Sequence, residues 1–175
     1  MNARKIKEIK PEEINDFIDV YKVFRLPPYS EAWTDEMITE EYFVLIKYGH
    51  VFGYYIDDRC VGIITCRKMF VSDGHPVLYE HPDEIAYLAD IAVKKEFRGQ
   101  GIGTELTKYV LDVLKKDGYK RVYMKTLEVG KSMSYGIVIK LGFKLLEGVN
   151  SIDTMERLDP NRSEKDFKIY LDKEL

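Results

Sequence analysis

The sequence predicts an α/β domain built around a mixed sheet. Segments with strand-like alternation are interspersed with segments of helical periodicity, in the order strand, two helices, several strands, helix, strand, helix and further strands. A glycine-rich turn, Arg98–Gly103, stands between an apolar strand and a strongly amphipathic helix. The chain has 175 residues, of which 45% are hydrophobic, so we expect one domain spanning residues 1–175 with a substantial core.

The first part of the chain predicts a strand, two helices and a hairpin. Pro11 suits the first turn of a helix, and Thr34 can cap a second one, with acidic residues following it. Asp57 and Asp58 form the turn of the hairpin. The predicted strands are Arg4–Ile9, Val51–Ile56 and Arg59–Phe70. The segment that follows, Val71–Asp83, is predicted to be a loop.

The second part predicts alternating strands and helices. Apolar periodicity indicates a central helix that ends near Gly118. Between the last strands lies a polar stretch, Glu147–Asp166, that shows no clear periodicity. The predicted elements are a strand at Glu84–Val93, helices at Gly101–Asp117 and Ser132–Leu141, and strands at Arg121–Leu127, Phe143–Leu146 and Phe167–Leu171.

Composition excludes several classes of protein. The formal net charge is −3 and the pI is about 5.7, whereas a nucleic-acid-binding domain normally carries a basic face. No apolar run reaches the ~18 residues that a membrane span needs, and the first residues lack the apolar core of a signal peptide. Cys60 and Cys66 lie too far apart on one predicted strand to pair, and no metal-ligand cluster accompanies them. We therefore expect a reduced, cytoplasmic protein without nucleic-acid, membrane or metal partners.

Three closely spaced glycines, Gly99, Gly101 and Gly103, carry the strongest functional signal. Glycines between a strand and a helix N-terminus let backbone N–H groups approach a ligand, and the helix end favours negative charge. The pattern predicts a pyrophosphate site. It lacks the Gly-Lys-Ser/Thr of a phosphate-binding P-loop, and Thr104 stands where the dinucleotide fingerprint requires its third glycine.

The pattern Arg/Gln-x-x-Gly-x-Gly/Ala resembles the coenzyme A loop of the GNAT acetyltransferase superfamily. The lead-in Asp90–Gly99 matches that family beyond the glycines, and Lys140–Phe143 matches the end of its last helix. The two matches span roughly Ala86–Phe143. The resemblance implies a GNAT-like fold, a mixed and mostly antiparallel sheet flanked by helices, and an N-acetyltransferase that uses acetyl-CoA.

The resemblance also implies where the cofactor binds. The pantetheine arm would lie between two splayed strands, Tyr87–Val93 and Arg121–Leu127, with a backbone N–H near the end of the first strand facing the thioester. Backbone N–H groups of the glycine loop would face the pyrophosphate. The cofactor-binding residues implied in this way are Ile91, Ala92, Val93, Arg98, Gly99, Gln100, Gly101, Ile102, Gly103 and Thr104.

Amine acetylation requires a neutral nucleophile and a stabilised leaving thiolate. Asp90, in the middle of an apolar strand, is the first candidate for the base, and Glu84 is the second. His75 and His81 are further candidates. In the family a Tyr often stands four residues before the glycine of the Gly-Phe pair as general acid, but Val138 occupies that position here. Tyr135 lies one turn earlier and is the candidate acid, because it could reach the same space. Lys131–Met133 occupies the region of the family's usual Asn.

The segment Leu26–Thr34 lies where GNAT proteins shape the acceptor pocket. Tyr29, Glu31 and Trp33 could bind a cationic amine through aromatic faces and charge. These residues predict a small-molecule acceptor with a primary amine, acetylated by direct transfer. A non-catalytic acyl-CoA-binding sensor is the alternative, because Val138 cannot donate a proton. A nucleotide-binding oxidoreductase is disfavoured by Thr104, and the sequence leaves a homodimer open.

Overall fold

A single sheet organises the chain. The computed structural model describes residues 3–26, 32–70, 81–127, 133–146 and 168–175, and within them seven strands lie in the order β1-β2-β3-β4-β5-β7-β6. Among the described strands only β4 and β5 pair in parallel, so the predicted mixed, mostly antiparallel sheet is confirmed. The strands are β1 (Arg4–Glu8), β2 (Gly49–Ile56), β3 (Arg59–Lys68), β4 (Ile85–Val93), β5 (Arg121–Leu127), β6 (Lys144–Leu145) and β7 (Lys168–Glu174).

Helices cover both faces of the sheet. The described helices are α1 (Ile14–Tyr21), which follows a 3₁₀ turn at Pro11–Glu13, α2 (Asp35–Tyr48), α3 (Ile102–Lys116) and α4 (Met133–Lys140). The apolar faces of α3 and α4 pack on one side of the sheet, while α1 and α2 pack on the other. None of the helices among the described residues has the length and apolarity needed to cross a membrane.

Most predicted boundaries agree with the structure to within a few residues. Thr34 caps α2, and its hydroxyl accepts a hydrogen bond from the N–H of Met37 at 3.2 Å. Strand β2 begins at Gly49 rather than Val51, because Gly49 and His50 already pair with β3. The approach at Gly49 admits only glycine, since a Cβ there would lie 2.0 Å from the backbone oxygen of Cys66. The last strand runs on to Glu174, since it pairs with β5 over that strand's whole length.

A bulge in β4 changes the direction of its side chains. Thr65 of β3 pairs with Asp90, but the next residue, Cys66, pairs with Leu88, so Ala89 is an extra residue in β4. In regular alternation Asp90 would share the face of Leu88, which packs in the core under α3. The bulge instead turns Asp90 toward the opposite face, where it contacts Tyr21 of α1.

The two parallel strands separate soon after they pair. Strands β4 and β5 are joined only through Ile85, Ala86 and Tyr87, which face Arg121, Val122 and Tyr123. Both strands continue beyond this point, β4 to Val93 and β5 to Leu127, without pairing to each other. The predicted splay of these strands is therefore present, and it leaves a gap in the sheet.

Candidate functional site

A cavity of about 280 Å³ lies at the carboxyl end of β4, where the sheet has parted. The glycine loop and the first turn of α3 form one side, and β4 forms another. Helix α4 and the 3₁₀ turn Lys22–Arg25, which follows α1, complete the wall. The lining residues are Val23, Phe24, Ile91, Ala92, Val93, Phe97, Arg98, Gly99, Gly101, Ile102, Gly103, Thr104, Ser134 and Ile137.

The glycine loop presents its backbone to this cavity. Gly99 has φ +76° and Gly101 has φ +82°, a conformation that favours glycine, and Gly101 is the N-terminal cap of α3. A Cβ on Gly99 would meet nothing within 4 Å, and one on Gly101 would meet only a Glu105 oxygen at 3.9 Å. The first-turn N–H groups of α3 have no partner within the helix and carry the positive end of its dipole. The loop therefore has the geometry and charge that fit a pyrophosphate.

Strand β4 presents backbone N–H groups to the gap. The N–H of Lys94 donates to Val61 of β3 at 2.9 Å, so by strand alternation the N–H groups of Val93 and Ile91 point away from β3. Strand β5 has already diverged at this level. The predicted donors near Ile91–Val93 thus face the space into which an extended arm would fit.

Arg98 and Gln100 serve the loop in different ways. The Nε of Arg98 donates to the backbone oxygen of Val93 at 3.0 Å, which ties the glycine loop to the end of β4. Gln100 is exposed, lies outside the cavity lining, and accepts from Arg4 at 3.5 Å. Of the ten predicted cofactor-binding residues, all but Gln100 line the cavity.

Asp90 lies just outside the cavity lining, on the face of α1 and α2. Its Oδ2 accepts from the hydroxyl of Thr65 at 3.2 Å and from that of Tyr21 at 3.4 Å, while its N–H donates to Thr65 at 3.0 Å. Thr65 is fully buried and Asp90 is partly exposed. Two hydroxyl groups therefore orient the carboxylate, whose neighbour in sequence, Ile91, lines the cavity.

Trp33 approaches Asp90 through Tyr21. The rings of Trp33 and Tyr21 meet edge to face with centroids 5.3 Å apart, and the hydroxyl of Tyr21 contacts Asp90. The structure thus brings together one predicted acceptor residue and the first predicted base. Tyr29 and Glu31 lie outside the described residues, as does His75.

Glu84 lies at the opposite end of β4 from the cavity. It immediately precedes the strand, six residues before Asp90, which corresponds to roughly 20 Å of extended chain. Lys120 donates to its carboxylate at 2.5 Å and lowers the pKa of Glu84. His81 lies beside it, and the N–H of Glu84 bonds to the His81 oxygen. This position argues against the predicted role of Glu84 as a base.

Helix α4 presents a serine to the cavity, which sequence reasoning missed. Ser134 and Ile137 line the wall, whereas Val138 is fully buried and Tyr135 packs against the core outside the lining. The hydroxyls of Ser134 and Thr126 of β5 lie 2.8 Å apart. The signal that could have found Ser134 is its spacing of four residues from Val138, because such residues share a helix face.

The two cysteines are buried away from the cavity lining. Cys60 and Cys66 are unbridged, and burial raises the pKa of each thiol to about 12. Neither residue lines the cavity, and thiols with so high a pKa are poor nucleophiles at neutral pH. A covalent acetyl-cysteine route therefore has no support.

Comparison with known proteins identifies the fold and the family. A family model described as "Acetyltransferase (GNAT) family" matches residues 14–133. The solved N-acetyltransferase from Staphylococcus aureus superposes with a TM-score of 0.72, at 15% identity, and covers 99% of this chain and 98% of its own. The PaiA N-acetyltransferase from Thermoplasma acidophilum, solved in complex with coenzyme A, has a TM-score of 0.67 at 16% identity and covers 99% of each chain.

A curated relative shows closer sequence similarity over a shorter stretch. N-alpha-acetyltransferase 30 from Schizosaccharomyces pombe is 36% identical over 87 residues, which is 50% of this chain and 52% of the relative. The match thus spans about half the length of the relative. The family model covers well over half of the chain and includes the glycine loop. The chain therefore belongs to the acetyltransferase (GNAT) family, whose members take the acetyl group from acetyl-CoA.

Proposed function

We propose that this protein transfers the acetyl group of acetyl-CoA directly to the primary amine of a small molecule. The observation that carries the proposal is the position of Asp90. The bulge in β4 turns its carboxylate away from the α3 core and toward Tyr21 and Trp33, beside the cavity at the β4–β5 gap. A donor site and a carboxylate suited to an amine thus lie next to each other.

The glycine loop and β4 would hold the donor. When bound, acetyl-CoA supplies the acetyl group as a thioester. The N–H groups of the α3 first turn and of Gly99 and Gly101 would bind the pyrophosphate, since the helix end favours an anion and nothing lies closer than 3.9 Å to the Cβ position of either glycine. The N–H groups of Ile91 and Val93 would donate to the thioester oxygen, where negative charge develops during transfer.

Asp90 would prepare the acceptor. An amine in water near neutral pH is an ammonium, which has no lone pair for attack. The carboxylate of Asp90 would pair with this ammonium and take up its proton, directly or through a water molecule. The hydroxyls of Tyr21 and Thr65 hold Oδ2 in place, so that the carboxylate meets the amine in a defined orientation. Holding both reactants in one site would supply much of the rate.

The aromatic surroundings of Asp90 support a compact amine as acceptor. Trp33 is half-buried and packs edge to face on the buried ring of Tyr21, so its exposed part offers aromatic surface near the carboxylate to a cation that leaves water. The face also carries cations, because Arg67 and Lys125 both lie near the ring of Tyr87. Asp90 is the described counter-charge for a cationic amine, and Glu31, the second predicted one, lies outside the described residues.

The α-amine of a protein chain is a second candidate acceptor. It is favoured by the 36% identity with N-alpha-acetyltransferase 30 over half of that relative. Such an acceptor presents the same primary amine to Asp90, and differs in the extended peptide that follows it.

The setting of the enzyme is also part of the proposal. Unbridged thiols at Cys60 and Cys66 are compatible with the reducing cytoplasm. Structural neighbours that cover 99% of this chain support one acetyltransferase domain across residues 1–175. The homodimer stays a prediction, which light scattering would check.

A panel of amines tests the proposed function. Acetyl-CoA in excess would be mixed with polyamines, aminoglycosides, amino acids and short peptides with free N-termini, and release of the CoA thiol would be followed. We expect fastest release with a small primary amine, with a matching acetylated product in the mass spectrum. Preferential acetylation of peptides would transfer the assignment to the α-amine candidate. If no amine of the panel causes release of the CoA thiol, the proposed acceptor class is contradicted.

A further inference from the structure

Helix α4 places a pair of hydroxyl groups at the donor cavity. Ser134 lines the wall, and its Oγ lies 2.8 Å from the Oγ1 of Thr126 on the diverging strand β5. Ser134 is partly buried and Thr126 is 7% exposed, so bulk water has little access to this bond. The pair joins α4, which lines the cavity, to β5.

The position of Ser134 relative to β4 indicates what the Ser134–Thr126 hydroxyl pair could bind. Ser134 and the residues Ile91–Val93 line the same cavity, and the N–H groups of Ile91 and Val93 point into the gap. Thr104, the other hydroxyl in the lining, lies in the first turn of α3 beside the phosphate-binding loop. Ser134 is therefore the hydroxyl of the cavity lining that lies away from the phosphate-binding loop, and an arm along β4 would pass between it and the N–H groups of Ile91 and Val93.

We propose that Ser134 donates a hydrogen bond to the sulfur of the donor as the thiolate leaves, with Thr126 as its positioning residue. This proposal rests on the proposed acetyl transfer. In that transfer the amine nitrogen forms a C–N bond, the C–S bond breaks, and sulfur departs with the electron pair. The nitrogen loses its proton through Asp90, while Ser134 keeps its own proton and shares it in the hydrogen bond. A hydroxyl bonded to an anion is a strong interaction where water is scarce.

Such a bond would compensate for Val138. That side chain is fully buried in the core and has no proton to donate. Ser134 lies on the same helix face one turn earlier, and it reaches the cavity that Val138 does not line. A thiolate can leave near neutral pH without being protonated first, because the ordinary pKa of a thiol is only about 8.5. A single hydrogen bond from Ser134 would then stabilise the departing thiolate.

The pKa of the thiol of bound CoA tests this proposal without any acceptor. The product CoA would be bound to each protein variant, and the thiolate would be titrated by its ultraviolet absorbance. We expect Ser134→Ala to raise the pKa of the bound thiol by about one unit and to lower kcat about tenfold, which corresponds to ~1.4 kcal/mol. The affinity for CoA at a pH where the thiol is protonated should change less than about twofold.

Further variants separate a catalytic hydroxyl from a structural one. Ser134→Thr keeps the hydroxyl and should restore most of the thiol pKa and of kcat. Thr126→Val keeps the shape of the strand residue and should produce a smaller shift in the same direction. Thr39→Ala is the control, because its hydroxyl bonds to the Asp35 oxygen within α2, which does not line the cavity. The Thr39→Ala variant should leave the pKa of the bound thiol and kcat unchanged.

The outcomes distinguish this proposal from the proposed function. If Ser134→Ala lowers kcat but leaves the pKa of the bound thiol unchanged, the hydroxyl is structural and the proposal is overturned. An unchanged kcat and an unchanged pKa would overturn it as well. If the thiol pKa shifts as expected while no amine in the panel is acetylated, the proposed acceptor class is wrong and the proposed role of Ser134 is supported. A wild-type protein that does not bind CoA would overturn both.

Discussion

Gly101 and Gly118 stand at the two ends of α3 and form a matched pair for substitution. Their φ angles are +82° and +91°, and neither would bring a new Cβ closer than 3.9 Å to another residue. Replacement by Ala therefore adds backbone strain without a clash, at a cost of about 1–2 kcal/mol. For a chain of this size each kcal/mol lowers Tm by about 2–4 °C, so both variants should unfold about 2–8 °C below the wild type.

Binding of CoA should separate the two variants. Gly101 borders the cavity and its backbone faces the proposed pyrophosphate site, whereas Gly118 lies beyond the other end of a helix about 22 Å long. Calorimetric titration should show CoA binding at least about tenfold weaker to Gly101→Ala, equivalent to ~1.4 kcal/mol, and unchanged affinity for Gly118→Ala. Equal affinity in the two variants, with equal losses of stability, would refute the placement of the phosphates at this loop.

Three further predictions concern catalysis and the thiols. Asp90→Asn should lower kcat about a hundredfold or more while leaving the affinity for acetyl-CoA intact, because an amide cannot accept the amine proton; steady-state kinetics and calorimetry check this, and full activity across pH would make Asp90 structural. Tyr135→Phe should change kcat by less than about tenfold in the same assay, because Tyr135 packs outside the cavity lining, and a loss of several hundredfold would identify it as the acid. Cys60 and Cys66 should resist alkylation in the folded protein at pH 8, because burial raises their pKa to about 12 and keeps them as thiols; mass spectrometry should find both labelled only after unfolding, and rapid labelling of the native protein would contradict their burial. Since the folded pKa lies above the ordinary value of about 8.5, the thiols should stabilise the fold fully below that pH and progressively less as the pH rises toward 12.

Features that depend on local sequence were predictable. The cap at Thr34 and the end of α3 near Gly118 follow from side-chain and backbone preferences of single residues. The glycine loop was predictable for the same reason, because positive φ angles such as those of Gly99 and Gly101 favour glycine. These signals need no knowledge of the rest of the fold.

The orientation of Asp90 depends on a feature that no local pattern shows. The bulge at Ala89 arises from the pairing of β4 with β3, two strands that are distant in sequence. Simple alternation would direct the carboxylate into the core under α3, where a charge is costly. The observed contacts with Tyr21 and Thr65 show how the pairing avoids this cost.

Distance along a strand explains the other differences. Glu84 stands just before β4 and Asp90 lies within it, but about 20 Å of extended chain separates them, too far for one site, and Lys120 pairs with Glu84. Ser134 was missed because the family pattern directs attention to Val138 and Tyr135. Only the packing of α4 on the sheet determines which of its residues reach the cavity.

Mapping the CoA contact on the protein in solution tests the central claim most directly. Coenzyme A would be titrated into nitrogen-isotope-labelled protein, and changes in amide resonances would be assigned by residue. The proposed donor site predicts the largest changes at Gly99, at Gly101–Thr104, at Ile91 and Val93, and at Ser134, with little change at Gly118. Changes centred on the Gly118 end of α3, with the glycine loop unaffected, would contradict the proposed donor site.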